Sequence, residues 1–334
     1  MEPFQLRPVF KSYLWGGDRL KRDFHKQWEQ YPLAESWELC CHRDGENLAA
    51  DGPLAGQPLS RILREQGGGV LLGSRFPADK DPVKDFPLMM KLIDAKDRLS
   101  VQVHPDDRYA REREGQQGKT EAWYILDAQP GAAIYYGFDR PITREDFARS
   151  IQAAGGKDSL TQLLHRQPVR PGQVYLIPAG TVHAIGAGIL VAELQQSSNL
   201  TYRVYDYGRR DAQGNLRQLH IDKALEVARL EPAAGDGSPM GSPEPVEGGS
   251  RCRLSRCSYF TLTRLTLSGR MEGCCCADSF QLLLAVSGSG TLSCGSARAA
   301  GYRAGFRAGD SFFLPAGCGE YILEGDAVLL RATL

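Results

Sequence analysis

The sequence predicts an all-β fold of the sandwich or barrel type, and three observations carry that expectation. Its 37 Gly and 19 Pro are spread at short intervals along 334 residues, the punctuation of a chain that turns often. Its apolar residues fall in short runs or alternate with period two, the pattern of strands, instead of forming long helical stripes. A segment near the middle, 171–183 (PGQVYLIPAGTVH), recurs at 308–320 (AGDSFFLPAGCGE) with the same Gly, apolar run and Pro-Ala-Gly turn, the mark of a duplicated unit.

Strands are expected at 86–95, 99–104, 121–128, 172–177, 188–195 and 200–205, then at 259–268, 280–286 and 309–314. Three stretches read as helix. Pro105, Asp106 and Asp107 open a charged run to Glu114. Thr143, with Asp146 three residues on, resembles a capping box and starts a second helix, which leads through Gly155-Gly156 into Leu160 to His165. His220 to Leu230 carries Ile221, Ala224, Leu225 and Ala228 at helical spacing. Together these predict a small helical insert between strands. From 231 to 250 the chain is nearly all Pro, Gly, Ala, Ser, Glu and Asp, without apolar periodicity, which marks an exposed connection. The predicted organisation is a catalytic unit over 1–235, a linker over 236–250 and a second unit over 251–334, in keeping with a length beyond the roughly 100–200 residues of one domain.

Forty Lys and Arg balance forty Asp and Glu, which removes the basic excess of a nucleic-acid coat or a membrane-surface protein. Residues 1–8 lack a cationic segment followed by an apolar one, and apolar runs such as 189–192 and 282–286 are too short to span a bilayer. A cytoplasmic protein is expected. The nine cysteines are odd in number, and three are consecutive (Cys274, Cys275, Cys276). They read as reduced thiols serving as small buried apolar residues, since neither Cys252 with Cys257 nor Cys40 with Cys41 has the usual zinc-knuckle spacing.

The chemistry concentrates in the N-terminal part. If 99–104 is a strand, Leu99, Val101 and Val103 share one face, and Ser100, Gln102 and His104 form a polar row on the other that is costly to bury without a partner. Lys119, Glu121 and Trp123 share a face in the same way. His183 follows the first Pro-Ala-Gly turn. His104, Glu121 and His183, with the amide oxygen of Gln102, make a mixed nitrogen and oxygen donor set for one divalent metal, with a position left for water or substrate as in catalytic zinc. His25, His42, His165 and His220 lack such partners and read as ordinary core or surface residues. Thr201, Arg203 and Tyr205 would share a strand face, and a guanidinium aimed at a cation-holding cavity calls for an anionic guest such as a phosphate or an enediolate.

The repeated turn resembles the second characteristic motif of the cupin barrel, a small jelly roll. The first copy ends on His183 and the second on Glu320, and no histidine follows His220. The fold expected is therefore two cupin barrels with a small helical insert in the N-terminal half, only the first barrel being equipped for chemistry. Five ordered motifs, F-P-L-M-M-K-L-I-D-A, L-S-V-Q-V-H-P-D-D, G-K-T-E-A-W-Y, P-A-G-T-V-H-A-I-G and Q-Q-S-S-N-L-T-Y-R-V-Y-D, resemble those of type I mannose-6-phosphate isomerases in their short bacterial form. Y-L-W-G-G at 13–17 and E-S-W-E at 35–38 are similar to that family's opening.

The resemblance implies one zinc ion per chain on His104, Glu121, His183 and Gln102, with Arg203 as a catalytic arginine. It puts Lys91 and Ser100 where the sugar phosphate sits. Asn199 stands where an acidic residue is common, and no role is assigned to it. The implied reaction interconverts D-mannose 6-phosphate and D-fructose 6-phosphate by moving a proton between C1 and C2. Lys119, Glu193 and a metal-bound water are all open as its carrier. Two other readings stand beside it: a non-haem iron oxygenase, which two histidines and a carboxylate in such a barrel also describe, and a phosphosugar-binding module without turnover. The cations Lys91, Lys119 and Arg203 favour a phosphorylated hexose as the partner. The sequence leaves the oligomeric state open.

Overall fold

A computed structural model describes residues 1–153, 160–210, 213–295 and 301–334. The chain is mostly β with a few short helices. Its N-terminal part builds two antiparallel sheets. A five-stranded sheet runs in the order Leu164–Pro168, Ala133–Phe138, His183–Ile185, Val101–Val103 and Tyr202–Tyr205. A six-stranded sheet runs Val174–Ile177, Glu121–Ala128, Ile189–Gln196, Leu88–Ala95, Glu35–Leu39 and Val9–Lys11. A third, nine-stranded sheet is built mainly from Glu244–Val246, Gly249–Arg256, Thr261–Cys275, Gln281–Cys294, Tyr302–Arg307, Ser311–Leu314 and Gly319–Thr333. The strand orders are open paths among the described residues, so the two predicted barrels appear here as layered antiparallel sheets.

The six-stranded sheet is the middle layer, which explains why its strands read as continuous apolar runs. All eight residues of Leu88–Ala95 are buried. Successive side chains point to opposite faces, so Leu88, Met90 and Leu92 join a core with Phe280 and with Leu282 and Phe313 of the nine-stranded sheet. Ile93 and Ala95 join Trp123, Ile125 and Val191, and these meet Ile134 and Ile185 of the five-stranded sheet. Lys91, Glu121 and Glu193 have the parity of this second face. Each fully buried Leu or Ile contributes about 1.5–3 kcal/mol, which offsets the cost of holding three charged residues in the same layer.

The duplicated motif is a backbone requirement. Val174–Ile177 and Ser311–Leu314 are the two strands, and Gly172, Gly180, Gly309 and Gly317 all have φ between 74° and 97°, a left-handed conformation that favours glycine.

The first predicted helix forms as Asp107–Glu114, its N-terminus capped by the Asp106 side chain, which accepts from Tyr109 N. The second begins at Arg144, with Thr143 Oγ1 accepting from Asp146 N. The third is Ile221–Val227, shorter than expected because Ala228 is extended. Leu160 to His165 is not part of the helical insert: 160–163 is turn and Leu164–Pro168 is a strand paired with Ala133–Phe138. Edge pairing outweighs the local helical reading there, and Gly155-Gly156 lies outside the described residues. Helices Arg19–Phe24, Leu59–Glu65 and Gly68–Leu72 were not expected.

Two features cross the predicted domain limits. Glu244–Val246 pairs with Gly249–Arg256 as a hairpin, so the later part of the 236–250 stretch belongs to the nine-stranded sheet. Phe4–Arg7 pairs with Ser311–Leu314, Phe4 opposite Phe313, and so lies in that sheet as well. The cysteine expectation needs a correction. Cys40, Cys41, Cys252, Cys275 and Cys294 are buried, but Cys274 and Cys276 are exposed, because strand parity turns only the middle residue of the triplet inward.

Candidate metal centre and its cavity

His104, Glu121 and His183 converge between the five- and six-stranded sheets. Their ligand atoms lie within 4.8 Å of one another, and all three residues are buried. His104 Nε2 is 3.5 Å from Glu121 Oε2, and His183 Nε2 is 3.4 Å from Glu121 Oε1. Among the described residues this is the one such cluster of His, Cys, Asp or Glu. Pairing sets Gln102 directly opposite His183 on one side and opposite Arg203 on the other. Gln102 Nε2 stands 3.4 Å from His183 Nε2.

The donor set fits a cation. His104 Nδ1 lies 2.7 Å from Leu200 O and His183 Nδ1 lies 2.9 Å from Thr181 O. A carbonyl can only accept, so both rings carry the proton on Nδ1 and turn an unprotonated Nε2 toward Glu121, the arrangement typical of metal-bound histidines. Burial and the Lys119 ammonium hold His104 far below its usual range, and burial pushes His183 down to about 4. Both are therefore neutral near pH 7, as a ligand must be. Both Glu121 oxygens are buried without a hydrogen-bond donor. Lys119 Nζ approaches Oε2 to 2.7 Å as an ion pair, and burial still pushes the carboxyl up to about 8. A carboxylate so placed is short of positive charge, and a dication would supply it.

A cavity of about 270 Å³ opens beside these donors. It is lined by Lys91, Ser100, Gln102, Lys119, Glu193 and Arg203, so it gathers the predicted site residues other than the three buried donors. Lys91 is buried, 3.3 Å from Glu193 and 3.7 Å from Glu35, so two carboxylates balance its charge. Burial would raise Glu193, but Lys119, Lys91 and the Trp123 indole, whose Nε1 donates to Oε1 at 2.9 Å, hold it down at about 2. Lys119 Nζ is also 3.3 Å from His104 Nε2. Arg203 Nε donates to Ser100 Oγ at 3.2 Å, and its Nη1 donates to Gln218 O. Thr201 lines the cavity with Arg203, but Tyr205 does not. The pairing register shifts between Arg203 and Tyr205, which turns Tyr205 to the opposite face.

The cavity is also lined by residues with no predicted role. Tyr13, Trp15 and Glu35 come from the two opening motifs, and Arg217 and His220 come from the stretch before the last helix. His220, read as an ordinary histidine, lies at this rim. Arg217 Nε donates to Asp206 Oδ2 at 2.7 Å, and Arg209 also bonds the Asp206 carboxylate. Arg209 and Arg217 thus pair with a single acid, whose charge also reaches Arg203. Nothing in the local sequence marks Arg217, since fold alone brings it to the rim.

Comparison with known proteins agrees with this geometry. Residues 3–131 match the family described as phosphomannose isomerase type I, catalytic domain, and residues 251–334 match mannose-6-phosphate isomerase, cupin domain. The chain is 38% identical to the mannose-6-phosphate isomerase ManA of Bacillus subtilis over 98% of this chain and 97% of that one. It is 35% identical to a mannose-6-phosphate isomerase of Streptococcus mutans over 99% and 98%. Among solved structures, the mannose 6-phosphate isomerase from Bacillus subtilis superposes with a TM-score of 0.88 at 33% identity, covering 100% of both chains. With the cupin match, the repeated Pro-Ala-Gly turn and the histidine–carboxylate cluster in agreement over the full length, the chain belongs to the type I phosphomannose isomerases.

Proposed function

We propose that the chain interconverts D-mannose 6-phosphate and D-fructose 6-phosphate at one zinc ion held by His104, Glu121, His183 and Gln102. The observation that carries this reading is the convergence of two neutral imidazoles on a buried carboxylate beside a cavity with a cationic rim. A mixed nitrogen and oxygen donor set beside an open cavity is the pattern of catalytic zinc, which supports that metal. Zinc bound there supplies Lewis-acid polarisation of the sugar carbonyl.

The cavity lies below the ~300–1,000 Å³ of most small-molecule sites, which suits one hexose phosphate and excludes a dinucleotide or a polymer. Arg203 and Arg217 receive the phosphorylated end, because both guanidiniums line the cavity and Arg203 makes no ion pair among the described residues, whereas the Lys91 ammonium is already balanced by Glu35 and Glu193. Lys91 and Ser100 then act on the sugar as hydrogen-bond donors. Lys119 Nζ moves the proton between C1 and C2, since it lies in the cavity within 3.3 Å of one ligand atom and 2.7 Å of another. Glu193 remains ionised and orients Lys91. We assign 1–235 as the catalytic unit, apart from Phe4–Arg7, which pairs into the nine-stranded sheet, 236–243 as the connection and 244–334 as a second, histidine-less cupin unit that packs against it. The reading includes a cytoplasmic location. Among the described residues, no helix is long and apolar enough to cross a membrane.

The test is metal analysis with a coupled isomerase assay. His104→Ala and His183→Ala lose both bound zinc and turnover. Arg203→Ala retains the metal and loses turnover by about 10²–10³-fold, the scale for a preorganised charge. Equal activity in metal-free and zinc-loaded protein ends the proposal, and oxygen consumption with iron would replace it by the oxygenase reading.

A further inference from the structure

We propose that Cys274 and Cys276 form a surface dithiol that a low-molecular-weight disulfide converts reversibly into an intrachain disulfide. The two side chains are exposed, and their sulfurs lie 3.3 Å apart. Cys274 lies in the strand Thr261–Cys275 and Cys276 is the first residue beyond it, so where the backbone stays extended the two point to the same side. Cys275 points the other way, its Sγ directed at the carbonyls of Ser279, Leu314 and Pro315, so it does not compete. Two such residues on an extended strand are separated by about 6.4–6.8 Å at Cα, within the range that a disulfide bridges. The backbone on both sides is held: Gln281 Nε2 donates to Cys274 O at 2.8 Å and Gly317 N donates to Cys276 O at 2.9 Å. The thiols are therefore adjacent before any oxidant arrives, and the second step of exchange is intramolecular.

The chemistry balances in two displacements. One protein thiol loses its proton and attacks a sulfur of the small disulfide, whose S–S bond breaks and whose other half leaves as a thiol. The second protein thiol, also deprotonated, attacks the protein sulfur of the mixed disulfide and releases the other half. Two protein thiols are oxidised, and one small disulfide is reduced to two thiols. The site lies at the root of the turn 276–279, which docks on the N-terminal part. Ser74 N donates to Ala277 O at 3.1 Å, Arg75 N donates to Asp278 O at 2.9 Å, and Arg75 pairs with Asp278 at 2.7 Å. Closing the ring stiffens the anchor of that turn.

The test uses the folded full-length chain with oxidised glutathione, followed by alkylation in denaturant and mass analysis of the tryptic peptide between Arg270 and Arg298. The expected result is a peptide lighter by two hydrogens, with Cys275 and Cys294 alkylated and Cys274 and Cys276 blocked, restored by dithiothreitol. Cys274→Ser and Cys276→Ser, nearly isosteric changes at exposed positions, should each accumulate one glutathione adduct, because the second displacement has no thiol to make it. Amide exchange at 277–280 should slow on oxidation. The proposal is overturned if Cys274 and Cys276 both remain alkylatable, if each takes its own glutathione, or if amide exchange at 277–280 is unchanged on oxidation.

Discussion

Replacing Lys91 by Met keeps the aliphatic stem and removes a buried charge that two carboxylates share. The ammonium is 4% exposed, 3.3 Å from Glu193 and 3.7 Å from Glu35, and 5.2 Å from the centroid of the Trp37 ring. Breaking a buried pair costs roughly 3–5 kcal/mol, mainly because the partner stays buried and unpaired. Lys119 still faces Glu193, so the lower end, about 3 kcal/mol, is expected for Lys91→Met. The discriminating measurement is a cycle with Glu35→Gln, since Gln can still accept from Trp37 Nε1 as Glu35 does at 2.7 Å. If the cost comes from an orphaned charge, the double variant should recover about 1 kcal/mol or more over Lys91→Met alone. Urea unfolding with metal present, read as midpoint shifts at constant slope, gives all four values. Burial lowers the Lys91 pKa, but Glu35 and Glu193 outweigh it and raise it above its ordinary value. Its stabilisation is therefore fully present below the unfolded pKa near ~10.4 and is lost only as pH rises through the higher folded value, so the deficit should be constant from about pH 6 to about pH 9. A deficit under about 1 kcal/mol, or a double variant weaker than Lys91→Met, refutes the reasoning.

Glu121→Gln should lose bound metal by equilibrium dialysis while keeping its circular dichroism, because the amide leaves the set without its anionic ligand. Arg217→Gln should raise KM for the phosphosugar about 10–100-fold with kcat changed little, and should weaken inhibition by inorganic phosphate in parallel, as loss of a charge-assisted contact predicts. Asp206→Asn should cost about 2 kcal/mol at neutral pH by urea unfolding. Burial acts to raise Asp206, but Arg217 and Arg209 hold it below the usual carboxylate range, so its stabilisation is present above ~3.9 and fades as pH falls through the lower folded value, closing the gap between variant and parent in acid. Gly73 has φ 88°, and a Cβ there would meet the Asp278 backbone at 2.6 Å, so Gly73→Ala should lower stability by roughly 1–3 kcal/mol through the docked turn.

The residues of the His104, Glu121 and His183 cluster are legible because each obeys a rule that local sequence expresses. Alternation along 99–104 separates Gln102 and His104 from Val101 and Val103, and the Pro-Ala-Gly turn announces His183. The middle layer was legible as strands, though not as a middle layer, since a continuous apolar run does not name what covers each face. Arg217 and His220 were not legible as site residues, because no periodicity says where the stretch before Ile221 crosses the molecule. Tyr205 was misjudged because a register shift leaves no trace in the residues themselves. The cysteine triplet was read by its composition, whereas its exposure follows from which face of Thr261–Cys275 is covered.

The strand Phe4–Arg7 has its partner at Ser311–Leu314, and this orders events on the ribosome. Leu6 and Arg7 can pair early with Ala49 and Leu48, but Phe4 and Gln5 wait for their partner until Ser311–Leu314 has emerged. A nascent chain halted before 311 would offer Phe4 to any chaperone that captures extended apolar segments. Synthesis of Ser311–Leu314 would end that exposure.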